Sequence, residues 1–203
     1  MKKTVSASII SLVVAAFPVV GNVMAADYDT AVVDQVQVTV NTVCNMTSSV
    51  SPAAGEPNGR YHKVVTPNTL VGGSEHPWEG TVSTLTYTCN DAGGWKVTAQ
   101  GVAGVGSTTP QTVLKASGSG TDIVTGTATE GYTSNWAFRV SGTGAVSEYT
   151  EFSAVPGTTT TVASSTDSVL LGELTPEYRV WVSPIQEADT YTGYVKYILS
   201  SPL

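Results

Sequence analysis

Apolar and polar residues alternate with period two along much of the chain. Val36, Val38 and Val40 alternate with Gln35, Gln37 and Thr39 and lead on to Cys44 at the same parity. Leu85, Tyr87 and Cys89 alternate with Thr84, Thr86 and Thr88, and Trp95, Val97 and Ala99 follow the turn Asn90-Asp91-Ala92-Gly93-Gly94. Later runs are Trp136-Phe138-Val140, Tyr178-Val180-Val182 and Tyr191-Gly193-Val195-Tyr197-Leu199. Successive side chains of a strand point to opposite faces, so each run predicts a strand with one face in a core. No long apolar stripe at the helical period appears. Stretches rich in Gly, Ser, Thr and Pro, such as 116–120 and 156–161, read as turns and loops. The expectation is an all-β protein, most economically a single antiparallel β-sandwich.

The first alternating run is unusually long. Tyr28, Thr30, Val32, Val36, Val38 and Val40 share one parity, with Asp34 the exception, across about thirteen residues. Strands usually run five or six. Either two strands meet near Asp34, or the first part leaves the domain as an extended arm. An arm of this kind can add a strand to a neighbour's open sheet, its alternate side chains Tyr28, Thr30 and Val32 filling pockets. The alternative is a long first strand or a frayed tail.

Before this run lies a segment with the pattern of an address. Met1-Lys2-Lys3 is a short basic start, a mostly apolar run extends from Ile9 to Val20, and Gly21-Asn22-Val23-Met24-Ala25-Ala26 follows. Val23 and Ala25 are the small residues of a cleavage site after Ala25. The run is too short to span a bilayer and Pro18 interrupts it. The expected organisation is therefore a signal peptide over 1–25, an extended arm over 26–34 and a β-sandwich over 35–203. No later segment reads as transmembrane. The product is expected to be exported, either secreted or held at the cell surface by other proteins. Export favours a disulfide between Cys44 and Cys89, because oxidising compartments let bridges persist; the alternative is two buried thiols.

Composition sharpens this picture. Only 12% of the 203 residues are charged, about half the usual share, whereas 30 Thr and 21 Ser together make about a quarter of the chain. Hydroxyls stand in for charges on the polar faces, and β-branched Thr suits the outward face of a solvated sheet. Helix bundles and coiled coils need far more Glu, Lys, Arg and Ala. Nine basic against sixteen acidic residues speak against nucleic acid or an anionic membrane as partner. Loss of Lys2 and Lys3 on cleavage would move the formal charge from -7 to -9.

Three blocks carry a resemblance. Val40-Asn41-Thr42-Val43-Cys44 places a Cys soon after an N-terminal strand. Tyr87-Thr88-Cys89-Asn90-Asp91-Ala92-Gly93-Gly94-Trp95 places a second at the end of a Thr-rich strand, and Thr190-Tyr191-Thr192-Gly193-Tyr194-Val195-Lys196-Tyr197 closes the set. The order resembles that of fimbrial subunits (pilins) and spore-coat-U-like domains, which are secreted immunoglobulin-like sandwiches. Together with Ser134-Asn135-Trp136-Ala137-Phe138, it is also similar to blocks in bacterial surface proteins. The resemblance implies an immunoglobulin-like or pilin-like sandwich. For pilins assembled by a chaperone and usher, it would also imply a missing strand supplied by the next subunit's arm.

A catalytic set is harder to find. His62 and His76 are the only histidines; with Glu75 and Glu79 they offer zinc-ligand chemistry, but in a Gly- and Pro-bearing loop without helical spacing. Ser119 lacks the strand–elbow–helix pattern of a serine nucleophile. Glu148 with Glu151, and Glu173 with Glu177, are the carboxylate pairs a glycosidase would need. Nucleotide-binding fingerprints do not occur. The expectation is no catalytic residue, no metal and no cofactor. Trp95 and Trp136 share parity with apolar neighbours and read as core. Trp78, Trp181, Tyr132 and Tyr149 are candidate ligand contacts, since exposed rings stack on sugars. Asn45-Met46-Thr47 fits a glycosylation sequon, a weak signal beside a bacterial type of export segment.

Two functions follow as expectations. One is a structural or adhesive surface subunit that self-associates through strand addition, its partners copies of itself or other surface subunits. The other is a monomeric module binding a carbohydrate, ligand or host receptor. A secreted hydrolase using the carboxylates above is a weaker third.

Overall fold

A computed structural model describes residues 40–48, 59–65, 78–82, 84–128 and 133–202. The expected signal peptide, arm residues Tyr28, Thr30 and Val32, and Tyr132 lie outside them.

The described chain is essentially all-β, about 54% strand and 2% helical. In order the strands are β1 (Cys44–Ser48), β2 (Gly59–Val65), β3 (Trp78–Thr81), β4 (Leu85–Cys89), β5 (Trp95–Val102), β6 (Lys115–Ala116), β7 (Val124–Thr125), β8 (Asn135–Gly142), β9 (Thr160–Ser165), β10 (Val169–Trp181) and β11 (Tyr191–Ser200). The helical content is one short 3-10 turn, Ser147–Tyr149. Among the described residues no helix is long and apolar enough to cross a membrane.

The strands form two sheets, one of them curled as a half-barrel. The first runs β1-β4-β10-β8-β7, with β3 pairing the second half of β10; the second runs β2-β11-β5-β9, with β6 beside β11. Pairing is antiparallel except for the two-residue β7–β8 contact, which is parallel and departs from the purely antiparallel expectation. Pro176 falls in β10 between the residues that pair with β4, which end at Leu174, and those that pair with β3, which start at Glu177. A residue without an N–H is tolerated where the ladder changes partner.

The parity read from the sequence sets the core. Tyr191, Gly193, Val195, Tyr197 and Leu199 of β11 point inward, as do Trp95, Val97 and Ala99 of β5. From the other sheet come Leu85, Tyr87 and Cys89, Trp136, Phe138 and Val140, and Leu174, Tyr178 and Val180. Aromatic rings join the two sets: Tyr87 of β4 lies 4.8 Å from Trp95 of β5, centroid to centroid. The turn between those strands needs Gly94, whose φ is +98° and whose missing Cβ would stand 2.0 Å from the Ser165 carbonyl oxygen.

Three elements differ from the sequence expectation. Val40 and Val43 precede the first described strand and are exposed, so among the described residues strand pairing begins at Cys44. The 156–161 loop ends in strand, because Thr160 and Thr161 open β9 against β5. β10 is thirteen residues long and begins well before Tyr178; its first half carries a register shift between Val169 and Gly172 that leaves Leu170 and Leu171 exposed.

Candidate functional site: the β1 and β2 edges

In a β protein, an edge strand presents unpaired N–H and C=O groups that can pair with another chain. Two edges here are covered by the chain's own backbone. Along β9, Val146 N–H donates to Val162 O and Ser164 N–H donates to Gly144 O. Along β8, Gly126 N–H donates to Trp136 O, while Phe138 and Ser153 exchange both bonds at 3.0 and 2.9 Å.

The β1 side is built differently. Cys44 and Cys89 are bonded to each other and are direct cross-strand partners, with Cα atoms 4.0 Å apart. So short a separation marks the non-hydrogen-bonded kind of antiparallel pair. Val43 and Asn90 fit that register, since Asn90 N–H donates to Val43 O at 3.1 Å and Val43 N–H donates to Asn90 Oδ1 at 2.6 Å. Backbone groups of Cys44, Met46 and Ser48 therefore turn away from β4, toward the outer edge. One of them is taken by a side chain: Arg60 Nη2 of β2 donates to the Met46 carbonyl oxygen. Among the described residues, the ladder of β1 is with β4 alone and that of β2 with β11 alone.

Behind Arg60, the same face of β2 carries His62, which is fully buried. Its Nδ1 lies 3.0 Å from the Tyr178 hydroxyl of β10, and that hydroxyl lies 3.0 Å from the Tyr197 hydroxyl of β11. The imidazole also packs on the Tyr197 ring at 5.0 Å between centroids. Burial lowers the His62 pKa to about 4 and raises those of both tyrosines, so all three are neutral at pH 7. The edge strand β2 is thus tied to both sheets by one polar chain of three side chains.

The rings proposed as ligand contacts fall elsewhere. Trp181 is 3% exposed and Tyr149 is 7% exposed, the latter packed on Phe138 at 5.4 Å. Both are held in the packed interior, where a ring presents no face to a sugar. For Trp181 packing was the alternative to a contact, and the end of β10 buries both Val180 and Trp181, on opposite faces. Trp78 opens β3 and pairs with Val180. Trp95 and Trp136 are core, as their parity predicts.

Chemistry-bearing side chains are mostly engaged with one another. Arg139 donates to Glu177 at 2.8 Å, and Arg179 Nε donates to Glu79 at 2.7 Å, while both guanidinium carbons lie over the Phe152 ring, at 4.6 and 3.8 Å. Glu173 and Glu177 are four residues apart on one strand, which separates their backbones by about 13 Å, wider than a glycosidase pair. Ser119 sits in a loop gripped by Asp189, which accepts from Ser117 Oγ and from the Gly118, Gly120 and Thr190 amides. Those donors hold the Asp189 carboxyl down at about pKa 2. Among the described residues, no group of three His, Cys, Asp or Glu side chains is placed to hold a metal.

Sequence reading missed Arg60, His62 and the tyrosine pair as a unit. The available signal was the inward parity of Arg60, His62 and Val64 in an otherwise unremarked segment. No protein-family model matches the chain, no curated protein matches it, and no solved structure matches it.

Proposed function

We propose that this protein is an exported structural or adhesive subunit of the bacterial surface, a pilin-like β-sandwich that self-associates by strand addition. The observation that carries the reading is the asymmetry of the edges. Backbone of the 144–155 segment covers β9 and β8, whereas the described ladder of β1 is with β4 alone and that of β2 with β11 alone. Such edges are ordinarily blunted, because exposed ladders recruit other chains. A pair of strands at the ends of their sheets on a charge-poor protein suits docking of an extended segment, with main-chain bonds giving affinity and alternate side chains giving register. The alternating residues Tyr28, Thr30 and Val32 of a second copy have the right pattern. No catalytic step enters this reading.

Deleting residues 26–33 is the test. The truncated protein is expected to keep its far-ultraviolet circular dichroism and its melting temperature but to lose assembly into polymers. Normal assembly of the truncated protein would refute the arm as the donor.

A further inference from the structure

We propose a second contact between copies of this chain, in which the Leu170–Leu171 bulge of one copy docks on the lysine-flanked outer face of the other copy's β2-β11-β5 sheet. The bulge exposes apolar surface: Leu170 is 90% exposed, more than any other large apolar side chain among the described residues, and Leu171 is 66% exposed. The register shift between Val169 and Gly172 is what turns both outward, since strict alternation would send one of them into the core. Covering two adjacent leucines removes that surface from water. Acidic side chains bracket them, Asp167 on one side and Glu173 on the other, both exposed.

The complementary surface lies on the other sheet. Val195, Tyr197 and Leu199 of β11 face the core, so Tyr194 and Ile198 face outward, where both are half-buried. Lys63 of β2 stands opposite Tyr194, Lys96 of β5 stands opposite Ser200, and both lysines are exposed. Charge is segregated between the two sheets. The strands of this one, β2, β5, β6, β9 and β11, carry Lys and Arg but no Asp or Glu. The acidic residues that lie in strands, Glu79, Glu173 and Glu177, all belong to the other sheet.

Spacing agrees with charge. Tyr194 and Ser200 are six residues apart along β11, about 20 Å, and the lysines sit one strand to either side, about 22 Å apart between backbones. Asp167 and Glu173 are also six residues apart, at most about 20 Å of extended chain. Long lysine stems span the difference. Each partner thus has charges at its two ends and apolar side chains between them, an arrangement that fixes register as well as affinity. Bulge and face belong to different sheets of one chain, so the contact is heterologous and repeats from copy to copy. It uses neither residues 26–33 nor a backbone ladder, and so goes beyond strand addition.

Carbodiimide coupling of an equal mixture of unlabelled and isotope-labelled purified protein tests the contact, because mixed-isotope peptides mark links between copies. Links from Lys63 and Lys96 to Asp167 and Glu173 are expected. Leu170→Ser with Leu171→Ser, at exposed positions, is expected to keep the circular dichroism spectrum and to lower the yield of these links about tenfold. Protein with Asp167→Lys and Glu173→Lys is expected to lose the contact alone and to regain it when mixed with protein carrying Lys63→Glu and Lys96→Glu, read by light scattering. Intermolecular links that are absent or lie elsewhere, a yield unmoved by the serine variant, or no recovery on mixing each overturns the proposal. The wild-type link map decides by itself should a variant fail to fold. Links that persist after deletion of residues 26–33 support the docking contact whatever becomes of the arm, and links that vanish with the arm overturn it.

Discussion

Trp136→Ala is expected to destabilise the protein by about 5 kcal/mol, the largest effect of any single core truncation. Removing a fully buried indole from a packed interior costs about 3–5 kcal/mol in lost transfer energy and residual cavity. Trp136 is 0% exposed, and its surroundings are shaped to it. The Tyr178 ring lies stacked alongside, 6.4 Å away and inclined by 27°. Gly193 of β11 leaves room for the indole, since a Cβ there would approach Trp136 to 3.4 Å and Leu114 to 2.6 Å. The indole also donates from Nε1 to the Thr112 carbonyl at 2.8 Å, and an acceptor left buried without its donor costs about 1–3 kcal/mol more. Against a usual total of about 5–15 kcal/mol, such a loss brings the native state close to its threshold. Trp136→Phe separates the two contributions, because it keeps a ring and removes the donor; about 2 kcal/mol is expected. Urea titration followed by circular dichroism measures both, and a loss under about 2 kcal/mol for the alanine variant would contradict this account of the core.

Reduction of Cys44–Cys89 is expected to cost about 4 kcal/mol, with the loss concentrated at one strand. The bond closes a loop of 45 residues, for which the chain-entropy model gives about that figure. Its position adds a local effect. β1 has five paired residues, and among the described residues they face β4 only. Without the covalent tie, the strand is held by that short ladder, by the buried Met46 side chain and by the Arg60 bond to the Met46 carbonyl. Urea titration with and without reductant should show the shift, and hydrogen exchange should show β1 opening before β5 or β8. A difference below about 1 kcal/mol would mean that the bond contributes little beyond its geometry.

What the sequence revealed depended on how each strand is buried. β4 and β5 alternate because one face is core and the other carries Thr, Lys or Gln, and β8 and β11 keep an apolar inward parity although Ala137 and Lys196 on their opposite faces are buried too, so parity located all four. The cysteine pairing was an expectation drawn from the expected export, and the register that places the two directly opposite accounts for the bond geometrically. β2 escaped notice because its inward positions carry Arg60 and His62, polar residues at places where the pattern asks for apolar ones. β10 was shortened in the reading because Leu170-Leu171 and Pro176 break its alternation, at a register shift and at a change of ladder partner. Trp181 and Tyr149 were candidate contacts from local pattern, with packing the alternative for Trp181, and their burial depends on packing by distant segments. The edge arrangement was least legible of all. Which strands lack a covering partner is a property of topology, and single-strand periodicity carries no information about it.

The low charge of the chain acquires a place in this account. Of its few ions, Arg139, Arg179, Glu79 and Glu177 neutralise each other around Phe152, and Lys115 pairs with Asp122 at 2.5 Å. Exposed pairs of this kind add little stability. Their effect is to take these ions up in local pairs without changing the formal net charge of -7.

The central proposal is that the protein joins to itself through the β1 and β2 strands at the ends of its sheets. Light scattering combined with negative-stain microscopy on the purified mature chain tests it most directly. The account predicts concentration-dependent growth into linear assemblies. A uniform monomer across the accessible concentrations, at neutral pH and at pH 5.0 alike, would contradict it.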